Sequence, residues 1–407
     1  MSREPTSRNP DLDRLRDEGY DLSLVAGLLI VRGIPFVDAD ANIRSGMLVV
    51  PLEMAGDRTA PPRHHSAFWG GGMPCDHLGR PLHLVVERSD GRTIAPEITV
   101  SHQLCNKPRG REFVDHHELV TTYVALIASH AVSLDPSVTA KSRRDVVPIE
   151  DPQSPFRYMD TASARAGSAV LGERFPKSVA LVGLGGTGGY LLDLVAKTPV
   201  RTIHLFDADA FLQHNAFRAP GAASIEDLEA RRTKVDHFAS IYSRVHTGIV
   251  PHPTRLDRRN VALLDAIDFA FLCLDDGPAK RPIAERLERN GTSFIDVGMG
   301  LEMGPDGLFG TLRVTTSTPD MRAHVRDKDR IPFLSGGVPD PYGSNIQIAE
   351  LNALNAALAV VRWKRMIGFY ADGGREHHST YDLDGNHMNN ADRSASRSVS
   401  GLRRAPA

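Results

Sequence analysis

The chain has 407 residues, with 48 Lys and Arg against 50 Asp and Glu and a net charge of −2, a balance that excludes bulk binding to nucleic acid or to an anionic membrane surface. No apolar stretch approaches the ~20 residues of a membrane span, and the length suits two domains with a sizeable core each. Three widely separated cysteines give no disulfide framework, and the first ten residues lack the apolar core of a signal peptide, so a reducing cytoplasm is the expected setting.

Residues 1–10 are poor in apolar side chains and are expected to be flexible. From 11 to 135 the pattern predicts a smaller α+β domain. A short amphipathic helix covers Asp11–Glu18, strands fall at Leu28–Val31, Gly46–Val50, Leu82–Glu87 and Ile98–Ser101, and a helix covers His117–His130. On that last helix Leu119, Val120, Tyr123, Val124 and Ile127 share one face. The domain carries no dinucleotide motif, and partner recognition is the role left for it. Its His64, His65, Cys75, His77, His83, His102, Cys105, His116 and His117 invite a metal-site reading. None shows the spacing that holds zinc, so surface or backbone-bonded histidines are the simpler account. The loop His65–Cys75 places Phe68 and Trp69 beside three glycines, which suits a partner-binding loop and core packing equally well.

Residues 136–155, rich in Ser, Pro and charge, read as a linker to a second domain over 156–385. There the strand Val179–Val182 runs into Gly183-Leu-Gly185-Gly186-Thr-Gly188, a helix over Tyr190–Lys197, a strand Thr202–Phe206 and the acidic Asp207-Ala-Asp209. This is the order of a nucleotide-binding β-α-β unit. The glycines allow a tight turn, a close approach of backbone to phosphate, and helix–strand contact. The helix N-terminus offers free N–H groups to the phosphates, and Asp207 can accept from ribose hydroxyls. Asn215, Arg218 and Lys234 follow. A NAD-dependent dehydrogenase has no use for them, whereas an enzyme that cuts ATP between the α and β phosphates needs cations for the departing pyrophosphate and a carboxylate for magnesium. The strand Phe269–Leu274 ends in such a carboxylate, Asp275, followed by Asp276.

In these residues the chain resembles the superfamily of ubiquitin-activating enzymes and the ThiF, MoeB and HesA adenylyltransferases. The G-x-G-G-x-G turn, the D-x-D segment, Asn215, Arg218, Lys234 and the acid closing Cys273-Leu-Asp-Asp276 match in order over roughly 155–370. Phe294–Gly310 resembles the family's approach to its crossover loop, and Gly343–Leu354 its last core helix. The resemblance implies a Rossmann-like α/β adenylation domain that uses ATP and Mg2+. The activity it implies is attack of a protein's C-terminal carboxylate on the α-phosphate of ATP. The turn glycines, Asp207, Asp209, Asn215, Arg218 and Lys234 would bind nucleotide, and Asp275 would hold the metal. It further implies a ubiquitin-like partner ending in glycine, a conjugating-enzyme-like acceptor and a homodimer. A long extra N-terminal domain without zinc cysteines is most similar to the activators of bacterial ubiquitination-like operons.

Many relatives carry a cysteine in the crossover loop, but Thr315–Tyr342 contains none. Direct hand-over of the adenylate is one alternative, and a loop serine is the other. Ser317 and Ser335 are the candidates, with His324, Asp327 and Asp329 as nearby groups for a base. The γ-phosphate arginine that relatives place before the first strand corresponds here to Arg165, or else Arg157. Asp276 stands where relatives have Asn, which adds negative charge beside Asp275 and would raise the dependence on magnesium. Competing readings are a sulfur-carrier adenylyltransferase, a NAD-binding oxidoreductase and a non-catalytic scaffold. Residues 386–407, polar throughout, are expected to be a disordered tail.

Overall fold

The computed structural model describes residues 9–55, 58–95, 97–108, 111–141, 154–158, 160, 169–333 and 346–394, and the chain divides into two units, Met1–Glu173 and Arg174–Ala407. The first opens with α1 (Pro10–Asp17), then β1 (Asp21–Val25), β2 (Leu28–Val37), β3 (Ile43–Pro51), and a two-residue pair, β4 (Met54–Ala55) and β5 (Arg58–Thr59). Next come β6 (Ser66–Gly70), β7 (Val86–Arg88), β8 (Arg92–Ala95), β9 (Ile98–Val100), β10 (His102–Cys105) and α2 (His116–Leu134). Six strands form one sheet in the order β1-β2-β3-β6-β10-β7, antiparallel throughout.

Alternation within β2 explains its unbroken apolar run. Leu29 and Val31 face the core that α2 completes, while Leu28 and Ile30 face a second cluster with Ile98 and Val100. The five apolar residues predicted on one face of α2 all enter that first core. Asp115 caps the helix, accepting from Glu118 N at 2.8 Å.

Several expectations change in this unit. Asn9 and Pro10 belong to the fold: Asn9 is buried and accepts from Thr59 N at 2.7 Å. Leu82–Val85 make turns, with Leu82 O accepting from both Val85 and Val86, so only Val86–Arg88 pairs as strand. Trp69 is fully buried, edge-on to Phe36, with its indole N–H donating to Gly72 O at 3.0 Å. The His65–Cys75 loop is therefore partly a core strand. At the start of the expected linker, Ala140 is buried and Lys141 pairs with Glu18 at 3.1 Å. Residues 142–153 lie outside the described residues.

The second unit runs β11 (Ser178–Val182), α3 (Gly186–Val195), β12 (Thr202–Phe206), α4 (Gln213–Ala216), α5 (Ile225–Glu229), α6 (Lys234–Tyr242), β13 (Ile249–His252) and β14 (Phe269–Leu272). It continues with α7 (Gly277–Arg289), β15 (Ser293–Gly304), β16 (Gly307–Ser317), α8 (Ala323–Asp327), α9 (Ala349–Met366), β17 (Glu376–Asp382) and β18 (His387–Arg393). Its eight-stranded sheet has the order β13-β12-β11-β14-β15-β16-β17-β18. Pairings from β13 to β15 are parallel, and those from β15 to β18 are antiparallel. Both faces of β11 are covered: Val179 and Leu181 pack with α3, α6 and α9, while Ala180 and Val182 pack with α7. β12 and β14 flank β11, so the chain reverses direction across the sheet at the end of β11, where open α/β sheets bind ligands. This is the α/β architecture expected for the larger domain.

The first part of the tail expected from 386 onward is a strand, and residues 395–407 lie outside the described residues. His387–Arg393 pairs with β17, and polar cross-strand bonds replace apolar packing: Ser379–Asn390 at 2.7 Å and Asn389–Asp382 at 2.9 Å. Among the described residues no helix is long and apolar enough to cross a membrane.

Candidate active site

The site begins where β11 ends. Gly183 takes φ +90°, its N–H donates to Phe206 O at 2.8 Å, and a Cβ there would stand 2.8 Å from Cys273 O. Only glycine fits such a turn. A Cβ on Gly188 would come 2.0 Å from Gly183 O, and one on Gly186 would strike the Asn352 amide, so these two glycines let α3 and α9 close on the turn. Gly185 differs, because a Cβ there would meet nothing within 4 Å. It is also the N-cap of α3, with no side chain capping it. Open space at a bare helix N-terminus leaves N–H groups for an anion.

Asp207 leaves the tip of β12 and ties the turn down. Its Oδ2 accepts from Leu184 N at 2.7 Å and its Oδ1 from Asp209 N at 2.9 Å. Lys234, the first residue of α6, is buried and reaches both acids, at 2.6 Å from Asp209 and 3.6 Å from Asp207. Asp209 is exposed, whereas the Asp207 carboxylate is almost covered. The glycine turn, Asp207, Asp209 and Lys234 thus form one bonded cluster.

Asn215 lies on α4, with Oδ1 accepting from Leu212 N at 2.9 Å, and Arg218 follows two residues after that helix. Asn215 Nδ2, Arg218 Nε and Asn352 Nδ2 are buried donors without a hydrogen-bond partner among the described residues. A buried donor left unpaired is costly, and a triphosphate is rich in acceptors. Together with the open cradle at Gly185, these donors fit ATP. Asp275 is exposed just beyond β14 and lines a cavity, a placement that fits a hydrated magnesium ion. The extra charge expected from Asp276 is offset. That side chain caps α7, accepting from Ala279 N at 3.1 Å, and is ion-paired with Arg255.

The cavity measures about 610 Å³ and lies over β15, β16 and β17. Thr187 and Asp275 line it, as do Lys280, Gly298, Gly300 and Arg313. Beneath it the fully buried Asp296 lies 2.8 Å from Lys280 Nζ, off the hydrogen-bond line, and accepts from Arg313 Nη2 at 2.6 Å. Sequence reasoning missed this triad. The available signal was a lone acid inside the apolar strand Phe294-Ile-Asp-Val, which burial tolerates only with cations supplied from elsewhere.

Other expected groups do not gather. Ser317 is buried in β16, and His324 is buried edge-on to His377, while Asp327 and Asp329 are exposed. Ser335 and Arg165 lie outside the described residues, and Arg157 is exposed in the first unit. Burial, then Asp296, pushes the Cys273 thiol upward, away from a reactive thiolate. In the first unit each member of the histidine cluster that is tied down has its own local partner. His102 meets Ser89 at 2.9 Å, His116 meets Asp11 at 3.3 Å, and His117 meets Glu18 at 2.6 Å. Among the described residues no three His, Cys, Asp or Glu side chains are placed to hold a metal.

Comparison with known proteins gives two family matches. Residues 10–161 match a domain of unknown function (DUF6791), and residues 166–331 match the ThiF family. No curated protein matches the chain. Among solved structures, E. coli MccB with MccA-N7isoASN is similar at 16% identity and a TM-score of 0.46, covering 59% of this chain and 74% of that one. PaaA is similar at 18% identity and a TM-score of 0.43, covering 55% and 75%. MccB with ATP is similar at 16% identity and a TM-score of 0.43, covering 59% and 72%.

Proposed function

We propose that this chain, which carries a ThiF-family domain over residues 166–331, uses ATP to adenylate the C-terminal carboxylate of a ubiquitin-like protein ending in glycine. A carboxylate oxygen attacks the α-phosphorus, the bond from that phosphorus to the β-phosphate oxygen breaks, and pyrophosphate leaves. No proton needs to move. The observation that carries this reading is the bonded cluster of glycine turn, Asp207, Lys234 and Asp209 at the sheet's reversal point. A dehydrogenase would use the turn and Asp207 but not a buried lysine between two acids.

In this reading the α3 N-terminus and Gly185 receive the phosphates, and Asp207 and Asp209 hold the ribose. Lys234 and Arg218 neutralise the departing pyrophosphate, and Asn215 uses its free Nδ2. Asp275 would hold magnesium, whose charge, when bound, screens the triphosphate. The activated protein passes to a separate conjugating-enzyme-like acceptor, and the working assembly is a homodimer. Support for direct hand-over is the cysteine-free stretch 315–342 together with the half-buried Cys273, whose thiol is pushed away from the thiolate form. The DUF6791 region would recognise one of the protein partners.

The test is exchange of labelled pyrophosphate into ATP by the full-length protein, with a small protein ending in free glycine from the same gene neighbourhood. Exchange should require that protein and magnesium, and should be lost in Lys234→Ala. Saturable NAD binding with no exchange would overturn the assignment.

A further inference from the structure

We propose that Arg313, held in place by Asp296 and Lys280, receives the substrate's terminal carboxylate, and that the missing side chain of Gly300 sets the width of the channel leading to it. This deepens the adenylation reading and rests on it.

The strand registry assembles the floor. Gly298 and Gly300 are two apart on β15 and share a face. Their cross-strand partners on β16 are Arg313 and Thr311, and Arg313 in turn pairs with Thr380 on β17. All five residues line the cavity. Gly298 is needed for packing, since a Cβ there would stand 2.5 Å from Arg313 Nη2. Gly300 has no such reason, because a Cβ there would meet nothing within 4 Å. Its lack of a side chain leaves room inside the cavity rather than room for a neighbour.

Charge gives the second line of argument. Lys280 and Arg313 carry two positive charges against the one carboxylate of Asp296, so the triad is net positive where it borders the cavity. Arg313 spends three of its N–H groups inside the protein, on Asp296, on Thr315 Oγ1 at 3.0 Å and on Arg330 O. Of its five donors, Nε–H and one Nη2–H have no partner among the described residues, and these atoms lie over Gly298. A planar carboxylate is the natural acceptor for such donors. An anion directed toward a triphosphate also needs a cation on the far side. Arg313 supplies one without a second acid in contact, and Asp296 and Lys280 act as positioning residues behind it.

The probe is a synthetic hexapeptide ending Gly-Gly, as free acid and as C-terminal amide, titrated calorimetrically into the full-length protein with a non-hydrolysable ATP analogue and magnesium. The expected result is saturable binding of the acid, at least tenfold weaker for the amide, and loss of peptide binding in Arg313→Met. Gly300→Val, whose Cβ would meet nothing within 4 Å, should also lose the peptide while retaining the ATP analogue within about twofold. It remains informative if Arg313→Met folds poorly. Equal binding of acid and amide, no saturable binding of either, or full peptide affinity in Gly300→Val would overturn the proposal. Failure to bind the ATP analogue would instead strike the adenylation reading itself.

Discussion

The parallel half of the eight-stranded sheet keeps its charges at the strand tips, whereas the antiparallel half carries them inside. β11, β12 and β14 are covered on both faces, and the acids Asp207 and Asp275 stand just past the last paired residue. From β15 to β18, Asp296, Glu376 and Asp392 are buried within strands and matched by Lys280 and Arg313, by Arg365, and by Lys328 and Arg330. The exposed Asp275 can be spent on a ligand with little loss to the fold, but a buried ion pair, Lys234–Asp207 among them, cannot. Asp275 and Asp296 should therefore respond to mutation in opposite ways, activity at one and stability at the other.

The sharpest way to break that contrast is at Asp275. Its carboxylate is exposed, so Asp275→Asn is expected to lower pyrophosphate exchange by about 100-fold or more while changing stability in urea by no more than about 1 kcal/mol. A large loss of stability would show that the tips are structural after all. Asp296→Ala should do the reverse. Leaving Lys280 and Arg313 without their shared acid is expected to cost about 3–5 kcal/mol in urea denaturation, before any question of activity arises.

Glycines separate the same two effects within one turn. Gly188→Ala forces a Cβ to within 2.0 Å of a backbone oxygen and should destabilise the fold by several kcal/mol, roughly the size of other strained-core changes. Gly185→Ala adds a methyl to open space, so stability should hold within ~0.5 kcal/mol while the affinity for Mg·ATP falls. Calorimetry on both variants checks the pair. If Gly185→Ala left ATP affinity untouched, the cradle would not be the phosphate site.

Acid should weaken the antiparallel half in a way that can be assigned. Burial, then the charges of Arg330 and Arg313, brings His378 down to about 4 from an ordinary value of 6.5. Between those values the unfolded chain binds a proton that the folded chain refuses, so stability falls as pH drops from about 6.5 to about 4. His324 and His377 are depressed in the same direction, burial being the leading cause in each. His378→Asn should flatten the pH dependence of the melting temperature by about one proton's worth and leave the rest. The smallest effect is expected at the exposed pair Arg255–Asp276, where Arg255→Gln should cost about 0–1 kcal/mol.

The sequence made one half legible because its signals are contiguous. Gly183 to Asp207 spans a single β-α-β unit, so its motif is contiguous even though the atoms that crowd Gly183 and Gly186 belong to the distant Cys273 and Asn352. The antiparallel half resists such reading. Lys280, Asp296 and Arg313 come from a helix and two strands, and only the registry of β15 with β16 brings the last two together. Asn352 and Asn355 are equally remote in sequence from the turn and strand they contact. β18 reads as tail in the sequence because its polar residues pair with other polar residues, so that hydropathy carries no trace of it. In the first unit the histidine list suggested a cluster, yet the fold sends its buried or bonded members to separate partners.

The central claim is that a carboxylate oxygen of the partner protein bonds to the α-phosphorus of ATP at this site. An oxygen-18 label in the partner's C-terminal carboxylate follows that bond directly. After reaction with Mg·ATP, hydroxylamine attacks the carbonyl carbon of the adenylate and releases AMP with the bridging oxygen, so mass spectrometry of the released nucleotide should find one labelled oxygen in AMP, and none when Lys234 is replaced by Ala. Label appearing in inorganic phosphate together with ADP, or AMP formed without label, would contradict it.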